Sequence, residues 1–453
     1  MTSSSAVPAR FHVETLGCPK NAVDSDKVVA SLLADGYRPA DSAADADLVV
    51  VNTCAFIEAA RQESVDTVLA LADVKAADAR LVVTGCMAER YGEELAAALP
   101  EVDAVVGFAG EGAIGLLAGT APSGAPVELL GRKPAGVRDL LELPRPAPSA
   151  PWAYVKVAEG CDRACAFCAI PTFRGTQRSR TIESIEDEAR GLVHGGVAEI
   201  VLVAQDLAWY GRDIGAPGSL TPLLQRLDTL RAEGLQRVRL LYLYPSEVKA
   251  PLVDAMLGLP SVVPYFDLSL QHASAPLLRR MKRWGNGDRF LTTIADIRER
   301  APEAAFRSSF IVGFPGETES DHAELLAFLA AAGLDWAGFF PYSREDGTAA
   351  ATLDRGVDGA LMHERLRECA AVQEPITQAA RDSLVGTEVE ILIDAVDPEG
   401  GLLGRTHREA PEIDGIVHVD GDARPGALVR AEVTGALGPD LEARALAPVG
   451  TPR

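Results

Sequence analysis

The stretch "AEGCDRACAFCAIPTFRGTQRSR", residues 158–180, sets Cys161, Cys165 and Cys168 in a C-x3-C-x2-C run and follows them with Arg174, Arg178 and Arg180. It comes directly after an apolar, strand-like run, "WAYVKVA", which starts at Trp152. A structural zinc site closes with four ligands, but the next His is His194 and the next Cys is Cys369. Zinc therefore fits poorly. A 4Fe-4S cluster ordinarily takes four thiolates; held by three, it keeps one iron open to coordinate another molecule. An open iron implies chemistry rather than stapling.

Working outward from this loop, six apolar runs alternate with amphipathic helical patterns: "WAYVKVA", "AEIVLVAQ", "RVRLLYLY", "YFDLSLQ", "AFRSSFIVG" and "WAGFFPY". Between the first two, Ile182, Ile185, Ala189, Leu192 and Val193 share one helical face, and "HGG" ends the helix. Six β/α units imply a partial barrel with its site at the carboxyl ends of the strands. Strand parity turns Lys156, Arg239, Asp267, Ser269, Gln271, Arg307 and Ser309 inward. A purely structural barrel fills its centre with branched apolar side chains, so these polar residues predict a bound ligand.

Upstream, a strand, loop and helix pattern occurs three times, with Cys18, Cys54 and Cys86 each just past a Val- or Leu-rich strand. Their separations of 36 and 32 residues each span one crossover unit. All three should emerge at the carboxyl edge of one parallel sheet, where ligands bind in open α/β folds. A lone buried Cys is usually a small core residue; three at the same structural phase are not so easily dismissed. The Gly-, Ala- and Pro-rich stretch ending in "PRPAPSAP" (144–151) reads as a linker.

A helical segment near 361–384 leads to short strands, "TEVEILIDAV", "GGLLGRTH", "GIVHVD" and "ALVRAEVTGA", which suggest a small antiparallel barrel. The expected organisation is residues 10–120, a linker at 121–151, the central barrel at 152–382 and the small barrel at 383–450.

The chain has 453 residues, 43 basic and 65 acidic, for a formal charge of -22. From Ser383 onward there are six Arg, no Lys and thirteen acidic residues, a local charge of -7. This sign repels phosphate backbones and suits a basic partner, so direct nucleic-acid binding is not expected. No apolar signal core or membrane-spanning run is visible, and seven cysteines without a secretory signal argue against a disulfide framework. A cytoplasmic protein without membrane attachment is expected. Cys369, in "RLRECAAVQ", reads as a core residue.

The 161–168 loop resembles the cluster motif of the radical S-adenosylmethionine superfamily, and the whole chain resembles its methylthiotransferases, through "NTCAFIEAA", "VTGCMAER", "EGCDRACAFCAIP", "RGTQRSR", "IVGFPGET" and "YSREDGTAA". The resemblance implies an α/β protein with a flavodoxin-like N-terminal domain, a (β/α)6 radical S-adenosylmethionine barrel and a C-terminal TRAM barrel. It also implies two 4Fe-4S clusters, one on Cys18, Cys54 and Cys86 and one on Cys161, Cys165 and Cys168. Two S-adenosylmethionine molecules would serve each product, one giving the methyl group and one the radical.

By the same resemblance Phe167 flanks the adenine, Gln205 lies near the methionine amino group, and Arg307 and Ser309 are placed for the carboxylate and ribose. Pro19-Lys20 in "LGCPKN" and the "APEIDG" stretch (410–415) resemble the branch that methylthiolates the β-carbon of an aspartate in ribosomal protein uS12. An electron donor and a sulfur donor are implied as further partners. Two alternatives stay open: a tRNA adenosine methylthiotransferase of the same architecture, and a non-catalytic iron-sulfur or zinc scaffold for ribosome assembly.

Overall fold

The computed structural model describes residues 9–117, 127–129 and 140–446. The stretch before Ala9, most of the expected linker (118–126 and 130–139) and the residues from 447 lie outside that description.

In the N-terminal region β1 (Arg10–Thr15), β2 (Arg38–Pro39), β3 (Leu48–Thr53), β4 (Arg80–Gly85), β5 (Ala104–Val106) and β6 (Val127–Leu129) form one parallel sheet in the order β2-β1-β3-β4-β5-β6. The absence of hydrophobic alternation in β3 and β4 has a plain cause. Val49, Val51, Leu81 and Val83 feed a core on one face, while Leu48, Val50 and Val82 feed a core on the other. Helices α1 (Pro19–Ala34), α2 (Glu58–Val74) and α3 (Cys86–Ala98) follow β1, β3 and β4. The sheet is larger than the three expected strands. β2 and β5 are too short to show a pattern, and β6 lies in the stretch read as linker, where "VEL" is a brief extended run among small residues.

The central region carries β7 (Trp152–Lys156), the short antiparallel pair β8 (Ala158–Glu159) and β9 (Arg178–Ser179), and then β10 (Glu199–Val203), β11 (Arg237–Leu240), β12 (Tyr265–Gln271), β13 (Ala305–Val312) and β14 (Trp336–Pro341). The long strands form two parallel triplets, β11-β10-β7 and β12-β13-β14, joined by the isolated bridges Val238–Val262 and Leu243–Leu268. β7 and β14 do not pair, so the barrel is open along that seam. Val155, Ile200, Leu202, Leu240, Phe266 and Leu268 face the helices. Tyr154, Val201, Val203, Leu241, Tyr265 and Ala305 face the interior, as strand parity requires. Cys369 is fully buried in the main core, on the helix Gly359–Asp382.

The last region is a closed barrel of β15 (Glu388–Val396), β16 (Leu402–Arg405), β17 (Val417–Asp420), β18 (Leu428–Leu437) and β19 (Asp440–Ala445), one strand more than the sequence suggested. Its 405–414 segment enters the amino-terminal end of the central barrel. Arg237 donates to the carbonyls of Arg405 and Thr406, Trp336 Nε1 to that of Arg408, and Tyr154 Oη to that of Pro411. Ala410 joins the interior core. Among the described residues no helix is long and apolar enough to cross a membrane.

Candidate active site

All seven cysteines are free thiols. Cys18 caps the amino terminus of α1, Cys86 is the first residue of α3, and Cys54 follows β3. The three thiols perturb one another electrostatically at the carboxyl edge of the sheet. Their loops are tied by Asn21, which is fully buried and donates to the Leu16 and Thr53 carbonyls at 2.9 and 3.0 Å. Gly17 has φ +96°, and a Cβ there would come within 2.8 Å of the Cys54 Cβ. Gly85 and Gly160, which precede Cys86 and Cys161, share this left-handed backbone. A Gly-Cys pair at three of six candidate ligands is a signal present in the sequence and missed in reading it.

The second triad lies at the mouth of the central barrel, beyond β8. Its loop is held by backbone hydrogen bonds from Cys161 N to the Gly175 carbonyl and from Ala166 N to that of Met281, while Ala350 N reaches the Ala166 carbonyl. The "YSREDGTAA" stretch thus braces the cysteine loop. Arg283 Nη1 lies 3.5 Å from Cys165 Sγ. Burial pushes the thiols of Cys86 and Cys168 up to about 12 and that of Cys161 to about 11. For Cys18, burial is outweighed by Lys20 and Arg174, which hold it below its ordinary value. Metal binding at the buried thiols must therefore displace protons.

Arg174 connects the two triads. It is 7% exposed; Nη2 reaches Cys86 Sγ at 3.1 Å and Asn21 Oδ1 at 2.7 Å, and Nη1 reaches Glu159 Oε1 at 2.8 Å, two residues before Cys161. Lys156, inward on β7, pairs with Asp24 of α1 and, at 2.6 Å, with Glu159. A clamp at the rim adds to this contact: Glu345 accepts Arg61 at 2.5 Å and Arg90 at 2.8 Å, both from the N-terminal region. In the sequence Arg174 is one of three arginines after the cysteines, and nothing there marks Asn21, Asp24 or Glu159.

The expected cofactor residues are placed unequally. Gln205 reaches Glu159 at 3.4 Å, with its Oε1 buried and without a hydrogen-bond partner. Phe167 is partly buried against the main core, and Ser309 lies inward on β13 opposite Gly338. Arg307 is already engaged by Asp267 at 3.1 Å and, across the domain boundary, by Asp414 at 3.4 Å. The inward polar residues predict a ligand at each position; the structure gives Arg239, Asp267 and Arg307 protein partners, from Glu199 and from one another within the barrel and from His407 and Asp414 of the inserted segment.

The donor set agrees with a cluster that keeps an open iron: each triad offers three thiols. Among the described residues no group of three or more His, Cys, Asp or Glu side chains is gathered to hold a single metal ion. Three thiols fall short of the four closed ligands of a structural zinc site and suit a cluster that keeps one iron open.

Comparison with known proteins identifies the three regions. Residues 10–107 match the model of "Uncharacterized protein family UPF0004", residues 155–329 that of the radical SAM superfamily, and residues 385–446 that of the TRAM domain. The chain is 43% identical to the ribosomal protein uS12 methylthiotransferase RimO of Nocardioides sp., covering 98% of this chain and 100% of that protein. It is also 43% identical to the protein of the same name from Kineococcus radiotolerans, over 98% and 99%. Among solved structures, the radical S-adenosylmethionine methyltransferase TsrM of Kitasatospora setae, with cobalamin and a 4Fe-4S cluster bound, matches at TM-score 0.53 and 15% identity over 76% of this chain and 77% of that one. The last of these speaks to fold alone.

Proposed function

The chain belongs to the family of ribosomal protein uS12 methylthiotransferases, and from that premise we infer that it replaces one hydrogen on the β-carbon of a uS12 aspartate with a methylthio group. It is a radical S-adenosylmethionine enzyme that uses 4Fe-4S clusters and S-adenosylmethionine. The observation that carries the finer reading is the joining of two three-thiol sites through Arg174 and Glu159. When bound, the clusters and cofactor supply the electron, the hydrogen-abstracting power and the methylthio group.

We assign one cluster to Cys18, Cys54 and Cys86 and the other to Cys161, Cys165 and Cys168. Phe167, Gln205 and Ser309 border the cofactor in this reading. Arg307 is left out of that set because its guanidinium is held by two carboxylates. The chain's own contribution is positional: Arg174, Lys156, Asp24 and Glu159 form a buried charge network that fixes the two sites relative to each other. The working division is 10–120, 121–151, 152–382 and 383–450. The acidic surface favours encounter with a basic ribosomal protein, and an electron donor and a sulfur donor complete the scheme in the cytoplasm.

The test is a mass comparison of uS12 from cells with and without the gene. Loss of one CH2S unit from an aspartate, with tRNA unchanged, is the expected result. Loss from tRNA alone would transfer the assignment to the adenosine-modifying branch.

A further inference from the structure

Lys20, on the first turn of α1, is 7% exposed, and its ammonium lies 3.6 Å from the centroid of the Tyr242 ring. No hydrogen-bond acceptor or carboxylate partner for that ammonium is found among the described residues. Glu159, a carboxylate that acts on Lys20 electrostatically, is already bridged by Lys156 at 2.6 Å and Arg174 at 2.8 Å. An ammonium withdrawn from water ordinarily requires charged or hydrogen-bonding partners, and an aromatic face replaces only part of what water supplied.

The residue beneath it is unusual as well. Tyr242 follows β11 at the carboxyl edge of the barrel with φ +63°, a left-handed backbone that a bulky residue adopts at a cost. The conformation is held by hydrogen bonds from Tyr242 N to Asp267 Oδ2 at 2.9 Å and from Leu207 N to the Tyr242 carbonyl. Beyond the Lys20 contact, Cys18, Asp267 and Arg307 are near enough to act on the Tyr242 side chain electrostatically. A strained aromatic platform and a largely buried cation therefore meet where the N-terminal thiols face the barrel mouth.

We propose that Lys20, seated on Tyr242, binds the side-chain carboxylate of the substrate aspartate and so presents its β-carbon beside the Cys18 site. This rests on the aspartate reading above. The geometry suits the chemistry, since the β-carbon is one bond from the carboxyl carbon and Lys20 is two residues from Cys18. A carboxylate anchored on the ammonium would hold the reacting carbon near the metal centre that Cys18 helps to bind. Three donors on one nitrogen also allow the carboxylate to turn without leaving.

The experiment uses the full reconstituted chain and two fluorescent peptides: one spanning the modified aspartate of uS12, and one with asparagine in its place. Wild type is expected to bind the aspartate peptide roughly ten- to hundredfold more tightly than the asparagine peptide, the range of a charge-assisted hydrogen bond. Lys20→Met should bind both alike, while Lys20→Arg should recover part of the preference. A Lys20→Met protein that keeps the wild-type ratio, or that weakens both peptides equally, overturns the proposal, as does a wild type without preference. If Lys20 served only the metal centre, the electron-paramagnetic signature would change in Lys20→Met while the peptide ratio stayed; that result also overturns it. Failure of the underlying reading is separately visible, as a uS12 whose aspartate never gains mass.

Discussion

Replacing Glu199 by Gln tests whether the C-terminal barrel is locked to the central one by charge. Glu199 opens β10 with no exposed surface; Arg239 Nε donates to its Oε1 at 2.7 Å, and Arg405 Nη1 lies 2.9 Å from its Oε2. Burial alone would push the carboxyl up, but Arg239, Arg405 and Arg237 together pull it down to about 2 from 4.5. That drop corresponds to about 3 kcal/mol of preference for the ionised form. The sign follows: the contribution is fully present above the unfolded value near 4.5 and is lost as pH falls toward 2. Glu199→Gln removes the charge at every pH and leaves Arg405 with Asp394 as its carboxylate partner.

Docking of the 405–414 segment should weaken by about 3 kcal/mol, within the range for breaking a buried pair. A single melting temperature would mislead in a chain of several domains. The better assay is hydrogen exchange at Thr406, Arg408 and Ala410, whose amides are hydrogen-bonded within the inserted segment. At neutral pH they should exchange about a hundredfold faster in the variant. Acceleration below about threefold, or an effect that simply adds to that of Arg405→Met, would refute the electrostatic lock.

Cys165→Ala and Cys54→Ala should each lose roughly half of the iron on reconstitution; only the first should abolish cleavage of S-adenosylmethionine without substrate, and identical behaviour in that assay would contradict the division of roles. Arg174→Met leaves Asp24 and Glu159 buried with Lys156 as their common cation; the contact of α1 with β7 should weaken by about 3–5 kcal/mol, read as faster hydrogen exchange of the α1 amides, and an acceleration under about fivefold would show that the network does not join the domains. Glu345→Gln should loosen the rim clamp by about 2 kcal/mol, read as faster hydrogen exchange near Thr348 with little change in the sheet core.

The sequence made the architecture legible wherever periodicity and chemistry coincided. The Val-rich runs of β3 and β4, the six strands of the central barrel and the cysteine placements all follow from local pattern. The misses share another cause, since they depend on what one segment does to a distant one. β2, β5 and β6 are too short to carry a period and are recruited by the sheet beside them. β19 pairs in parallel with β17 and antiparallel with β18, which no local signal announces. Parity turned Arg239, Asp267 and Arg307 inward, but it could not show that Glu199, the Asp267–Arg307 pair itself and the inserted segment meet them there. Asn21 and Arg174 looked ordinary because their meaning lies in contacts across 32 and 88 residues.

The open seam of the central barrel gives a physical reason for the fusion of domains. Six strands leave β7 without a neighbour toward β14, and an exposed strand edge is a liability that proteins cover. Here α1 packs along β7, and its Val23 enters the same core as Tyr154, Val201, Tyr265 and Ala305. Asp24, the next residue, meets Lys156 on that strand, so one helical turn provides both apolar cover and a charge partner. The helix that closes the seam begins just after Cys18 and carries Lys20 on its first turn. Covering the barrel and bringing the N-terminal thiols to its mouth are therefore one packing event. The 405–414 segment fills the opposite end, and its Asp414 reaches Arg307, which holds Asp267, which in turn accepts from Tyr242 N. The residues beside the candidate site are thus set by contacts from both flanking domains, which is what the proposed reaction would need with one metal centre on each of two domains.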